Sequence, residues 1–195
     1  MKVVIPYRSL RRVVQSMQLM LTAAAVLGLG YCGFVALEAW NFQRVEGHRL
    51  DLVAAPHAEV LQAVADGGLI GRIEVRRLAL SVVVIQGTSE AALRRAAGHI
   101  AGTAFPGQGG NVGIAGHRDT FFRPLRNVRQ NDVIALTTPS GEYRYRVVST
   151  RVVSPDDVSV LRSGRGEVLT LVTCYPFYFV GAAPERFIVR AERVP

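Results

Sequence analysis

Between Leu19 and Leu37 the chain reads LMLTAAAVLGLGYCGFVAL, nineteen consecutive residues without a charge. As an α-helix that stretch is about 28 Å long at 1.5 Å per residue, close to the hydrocarbon thickness of a bilayer. It is expected to cross a membrane, which assigns everything on either side of it to a compartment. Lys2, Arg8, Arg11 and Arg12 precede it with no acidic residue among them, whereas Glu38, Glu46 and Asp51 mix with Arg44 and Arg49 after it. The positive-inside rule then makes residues 1–16 a cytoplasmic tail and residues 17–40 a single-pass anchor in the cytoplasmic membrane, with the remainder outside the cell. Trp40 reads equally well as an interfacial anchor or as an ordinary linker aromatic. A cleaved signal peptide is the competing reading. It ranks second, because the apolar stretch is long for one and no small-x-small cleavage site follows it.

Beyond the anchor, residues 41–68 are polar and Ala-rich and read as a stalk, with a short helix expected in HAEVLQAVAD. From residue 69 to 195 the pattern changes to short β-runs: IGRIEVRRL, LSVVVIQG, NVGIAGH, DVIALTTP, EYRYRVVSTRVV, EVLTLVTC and RFIVRAERV. Turn signals separate them, and seven or more strands in a segment of this length predict an all-β closed barrel or sandwich. Two short helices are expected. One is SEAALRRAAGHI with Ser89 as its N-cap, and the other is a single turn near TFFRPLRNV that Pro124 keeps short. The net charge of +8 does not imply a nucleic-acid partner: Lys2 is the only lysine, and the other 22 of the 23 basic residues are arginines scattered through the chain. No basic helix or interleaved aromatic platform accompanies them.

The two cysteines are expected to remain unpaired, since Cys32 lies inside the proposed membrane helix and cannot reach Cys174. Cys174 ends the run TLVTC. On a strand it shares a face with Thr170 and Val172, opposite Leu169, Leu171 and Thr173. Position alone leaves two readings, a small buried core residue or an accessible nucleophile at the strand's mouth. His117 ends VGIAGH, again at a strand's mouth, after glycines at 113 and 116 that permit close approach. His99 follows the first helical segment, where it could meet the last carbonyls. Asp119 could orient His117, but fits better as a cap for the turn near Phe121. Arg186 opens the last strand and could lie beside the thiol or in water. One His and one Cys are too few soft ligands for zinc, and no dense acidic cluster offers a calcium site, so neither a metal nor a cofactor is expected.

NVGIAGHRDTFF, followed 57 residues after its histidine by the cysteine of LTLVTCYPF and twelve residues later by Arg186, resembles the sortases, the membrane-anchored transpeptidases of bacterial cell envelopes. TLVTC matches the T-L-x-T-C signature, Gly116-His117 the strand-end histidine, and RFIVRA the final strand that opens with the family's arginine. SPDDVSVL looks like the segment before the cysteine strand, and CYPFYFVGAAPERFIVRA looks most like the class D branch. The resemblance implies an eight-stranded sortase barrel. It also implies that Cys174 attacks the threonine carbonyl of an LPxT-type sorting signal, that His117 serves as general acid and base, and that Arg186 supports the developing oxyanion. Thr173, Gly116 and Arg118, which flank these residues, are expected to contact substrate. The implied partners are secreted proteins carrying the signal, and an amine of a peptidoglycan precursor or of a pilin-like protein. Two other readings stand beside this one. An L,D-transpeptidase would show an S-x-G-C type motif, which is absent, and a silent interaction domain would not need His117, Cys174 and Arg186 together.

Overall fold

A computed structural model describes residues 7–52, 65–164, 166–179 and 181–195. The chain divides into two compact units, residues 1–40 and residues 41–195. A single helix, α1 (Tyr7–Leu52), begins in the first unit and ends in the second. Within the first unit its apolar side chains, among them Leu19, Met20, Leu27, Leu29 and Phe34, are exposed and no protein covers them. Two hydroxyl groups there are satisfied inside the helix: Thr22 donates to the carbonyls of Gln18 and Leu19, and Ser16 to that of Arg12. A helix in lipid requires this, because hydrocarbon offers no hydrogen-bond partner. α1 is long and apolar enough to cross a bilayer.

Residues 41–52, read as part of a polar stalk, continue the helix and pack within the second unit. The Gln43 side chain accepts from Val83 N at 2.8 Å and donates to Arg95 O at 2.7 Å. Phe42 packs on a cluster of Val83, Ile85, Ala92 and Ala96, with the Arg95 guanidinium 5.3 Å from its ring centre. The helix expected in HAEVLQAVAD (residues 57–66) falls for residues 57–64 outside those described, and residues 65 and 66 are not helical.

The second unit is a closed barrel of eight strands, in the order β1-β2-β3-β4-β7-β8-β6-β5. The strands are β1 (Leu69–Val75), β2 (Leu80–Gln86), β3 (Ala97–His99), β4 (Gly110–Ala115), β5 (Val133–Thr138), β6 (Gly141–Val153), β7 (Glu167–Tyr175) and β8 (Glu185–Val194). Inward residues from every strand, including Ile73, Val84, Ile114, Leu136, Tyr145, Leu169, Leu171 and Val189, form one buried core. At about 25 cal/mol per Å² of apolar surface, this burial dominates the favourable side of folding. The expected barrel is present, and seven of its strands coincide with the seven β-runs.

The eighth strand corrects a helical expectation. In SEAALRRAAGHI only α2 (Glu90–Arg95) is helical, with Ser89 capping it through a bond from Ala92 N. Ala97–His99 then form β3, parallel to β2 and antiparallel to β4. Gly98 makes this possible, since a Cβ there would lie 2.2 Å from Gly87 O. His99 therefore does not meet helix carbonyls. It is 1% exposed and stacks on Phe105 at 4.7 Å. The expected turn near Pro124 is a 3-10 turn, Arg123–Asn127, but Asp119 does not cap it, because its carboxylate is engaged by Arg118 at 3.0 Å.

Candidate active site

Strand register sets the three candidate residues at neighbouring strand ends. β7 and β8 are antiparallel, and their pairing sets Thr170 opposite Arg190, Val172 opposite Ile188 and Cys174 opposite Arg186. Directly opposed residues share a face with Cβ atoms about 4.5–5.5 Å apart, so Cys174 and Arg186 are neighbours on the outside of the barrel. The alternate residues Leu169, Leu171, Val189 and Ala191 point into the core.

β4 runs parallel to β7 on its other side, with Ala115 paired to Val172. The pairing extends one residue further through Gly116 N, which donates to Val172 O at 3.1 Å. The Thr173 hydroxyl, 2% exposed, donates to Gly116 O at 2.7 Å and ties the two chains from within. His117 follows at once, two residues beyond Ala115, as Cys174 is two beyond Val172. Gly116 is required here because a Cβ would sit 2.7 Å from the Phe122 ring. Phe122 is fully buried, and its N–H donates to His117 O at 3.0 Å, so the backbone of His117 is fixed from both sides. His117, Cys174 and Arg186 are all partly exposed. A reactive group needs both access and a fixed backbone, and this strand junction supplies them.

The remaining outer surface of β4 and β7 is graded. At its lower part Thr170 donates to Asn111 Oδ1 at 2.7 Å, and Asn111 Nδ2 donates to Val160 O at 3.1 Å. Both side chains are fully buried, beneath the 3-10 turn Val158–Leu161. Gly113 lies under Thr103, Leu161 and Ile100, which would crowd any Cβ to 3.3 Å or less. Towards Cys174 the cover thins, and Ala115 and Val172 are half-buried. The surface leads along an apolar strip to the thiol.

Arg186 Nη1 donates to Ala183 O at 3.2 Å and to Glu185 O at 3.0 Å. Its Nε and Nη2 make no hydrogen bond among the described residues, so the guanidinium is anchored at one corner and retains donors for an incoming oxygen. Of the residues expected to contact substrate, Thr173 and Gly116 are joined to each other beneath the site. The Arg118 guanidinium is 8% exposed and bonded to the loop between β7 and β8. The polar pair Asn111 and Thr170 was missed as part of the site's construction. Thr170 opens the TLVTC run on the face of Cys174, which is the signal that could have found it. A cleft of about 520 Å³ near Arg77, Arg126 and Arg129 includes none of the three reactive residues. Cys32 and Cys174 are both unpaired.

Comparison with known proteins shows the family. Residues 73–194 match the sortase domain family. The chain is 34% identical over 129 residues to sortase D of Bacillus subtilis, covering 66% of this chain and 65% of the relative. It is 32% identical over 110 residues to sortase A of Listeria monocytogenes, covering 54% and 49%. The matches thus span just under two thirds of the first relative's length and about half of the second's. Among solved structures, the Clostridium perfringens sortase D5 transpeptidase superposes with a TM-score of 0.68 at 25% identity, over 82% of this chain and 99% of that one.

Proposed function

This chain belongs to the sortase family and is most like its class D members, and from that premise we propose that it is a membrane-anchored cysteine transpeptidase acting on an LPxT-type sorting signal. The observation that carries the proposal is the pairing of Cys174 with Arg186 across β7 and β8, with His117 two residues beyond the Ala115–Val172 pair of β4 and β7. The Cys174 thiolate attacks the threonine carbonyl carbon, and Arg186 donates hydrogen bonds to the oxygen as it gains charge. His117, protonated, gives its proton to the departing amine as the C–N bond breaks, leaving a thioester on Cys174. An incoming amine then loses a proton to His117, forms the new amide and releases the thiolate. The acyl group passes from one amine to another, and no net oxidation or hydrolysis is required.

The surface agrees with this division of labour. The half-buried strip of Ala115 and Val172 suits the apolar part of a short extended peptide, and the thiol stands at its end. The exposed apolar helix α1 supports lipid as the other partner, and the basic residues ahead of it support a barrel outside the cytoplasmic membrane. Protease access to the barrel from the outer face only, with residue 1 retained, is the expected topology; a mature N-terminus near Trp40 contradicts it. For the reaction, the full chain in detergent is incubated with a peptide library of LPxT form and several amines, and the products are weighed. Acyl transfer to an amine with cleavage after threonine is expected. Cleavage elsewhere, or intact peptides throughout, defeats the proposal.

A further inference from the structure

Arg118 follows His117 directly, yet its guanidinium points away from solvent and is 8% exposed. Removing a guanidinium from water costs several kcal/mol unless its five N–H donors are met. Four of the five are met here. Nη1 donates to Pro176 O at 3.1 Å, Nη2 to Phe179 O at 2.7 Å and to Gly181 O at 3.0 Å, and Nε to Asp119 Oδ1 at 3.0 Å. Three of the four acceptors are backbone carbonyls of a single loop, which leaves β7 just after Cys174 and returns to β8 just before Arg186.

That loop has no strand partner of its own, and its carbonyls would otherwise have to find water or other donors. The Phe179 ring lies 6.0 Å from the Arg118 guanidinium carbon, which adds a weak aromatic contact. At the far end of the loop, Arg186 Nη1 is itself bonded to Ala183 O. A continuous set of bonds therefore links His117, through Arg118 and the loop, to the donors of Arg186. A shift of about 1 Å between reacting groups can cost about 100-fold in rate, so holding this loop matters to the chemistry.

We infer that Arg118 is a positioning residue that clamps the β7–β8 loop and so fixes Arg186 and Cys174 relative to His117, rather than a group that touches substrate. Four of its five N–H donors are already committed to the protein, which leaves a single Nη1 N–H on a guanidinium that is 8% exposed. A lysine keeps the charge but lacks the planar fork that reaches three carbonyls at once. The inference rests on the sortase reading for its kinetic consequence and on geometry alone for its effect on the loop.

The test uses the full chain in detergent, with Arg118→Lys compared against Arg123→Lys, an exposed arginine five residues along. Chymotrypsin probes the loop through Tyr178 and Phe179, which are 77% and 45% exposed. In Arg118→Lys, cleavage at these residues should accelerate at least tenfold. The kcat for an LPxT peptide should fall at least tenfold with KM within threefold, and iodoacetamide should still label Cys174 within threefold of the wild-type rate. Arg123→Lys should match wild type in every readout. Unchanged loop protection in Arg118→Lys overturns the inference, as does a raised KM with kcat intact, which would make Arg118 a substrate contact. Loss of cooperative melting also overturns it, since a positioning residue leaves the barrel folded. If wild type cleaves no LPxT peptide, the functional reading fails separately, and loop protection still decides the role of Arg118.

Discussion

His99 ends β3 and His117 lies two residues beyond its neighbour β4, and the two have opposite fates. His99, on β3, is sealed: Nδ1 lies 2.9 Å from Gln86 Oε1, and Nε2 lies 3.0 Å from Ala104 O and 3.1 Å from Thr103 Oγ1. Thr103 in turn accepts from Gly113 N, so this histidine secures the chain that covers the outside of β4. His117 is held through its backbone, makes no side-chain hydrogen bond among the described residues, and leaves its ring partly exposed. A histidine whose nitrogens are both met inside the protein contributes structure, and one held with its ring in the open can exchange protons with a substrate. The first should therefore cost stability when changed, and the second activity.

The largest effect is expected at His117. His117→Ala should keep its melting temperature within about 2 °C and lose about 100-fold to 10,000-fold in kcat, the usual range for removing a general acid-base group. Next comes Arg186, where charge and geometry can be separated. Arg186→Lys should fold and still be alkylated at Cys174, yet lose about 100-fold in kcat/KM, about 2.7 kcal/mol of transition-state stabilisation. Arg190→Lys, on the same strand face, is the control and should lose little. If the Arg190 variant fails and the Arg186 variant survives, the oxyanion role belongs to Arg190.

His99 should show the reverse pattern. Burial, partly offset by the bond to Ala104 O, holds its pKa below the ordinary value of 6.5. The unfolded chain therefore binds a proton more readily than the folded one. The stability linked to His99 is complete above about pH 6.5 and is lost as pH falls towards the folded-state value. Wild type should melt lower at pH 5.5 than at pH 7.5. His99→Gln should flatten its part of that slope, melt roughly 4–10 °C lower at pH 7.5, and retain most activity per folded molecule, as thermal scans and active-site titration would show. A fully active variant with an unchanged melt and slope breaks the contrast. The smallest effect concerns Asp119, which is 72% exposed and paired with Arg118 instead of His117. Asp119→Asn should change kcat less than threefold, and a hundredfold loss would make it the orienting member of a triad after all.

The same contrast explains what was legible in the sequence. β7 and β8 alternate cleanly between a core face and an outer face, so the places of Cys174 and Arg186 could be read from period alone, and the TLVTC and GH motifs added their chemistry. β2 reads LSVVVIQ without alternation because both of its faces are covered. Val82 and Val84 lie in the barrel core, while Val83 and Ile85 lie in the cluster beside Phe42 and α2. β3 was hidden, since AALRRAAG is rich in strong helix formers, and three residues of strand form there only because β2 and β4 supply the hydrogen bonds on either side. The sealed state of His99 depended on that strand and could not be seen without it. Arg118 was equally opaque, because its partners are carbonyls 58 to 63 residues away in an irregular loop, and backbone acceptors leave no trace in side-chain identity.

The most direct test of this account is the covalent state of Cys174. The full-length protein is mixed with an LPxT peptide without added amine, quenched in acid, digested and weighed. The account predicts an adduct of the peptide fragment ending in threonine on the segment that carries Cys174, released by hydroxylamine and absent from Cys174→Ala. Turnover of the peptide by Cys174→Ala, or an adduct on any other residue, would contradict it.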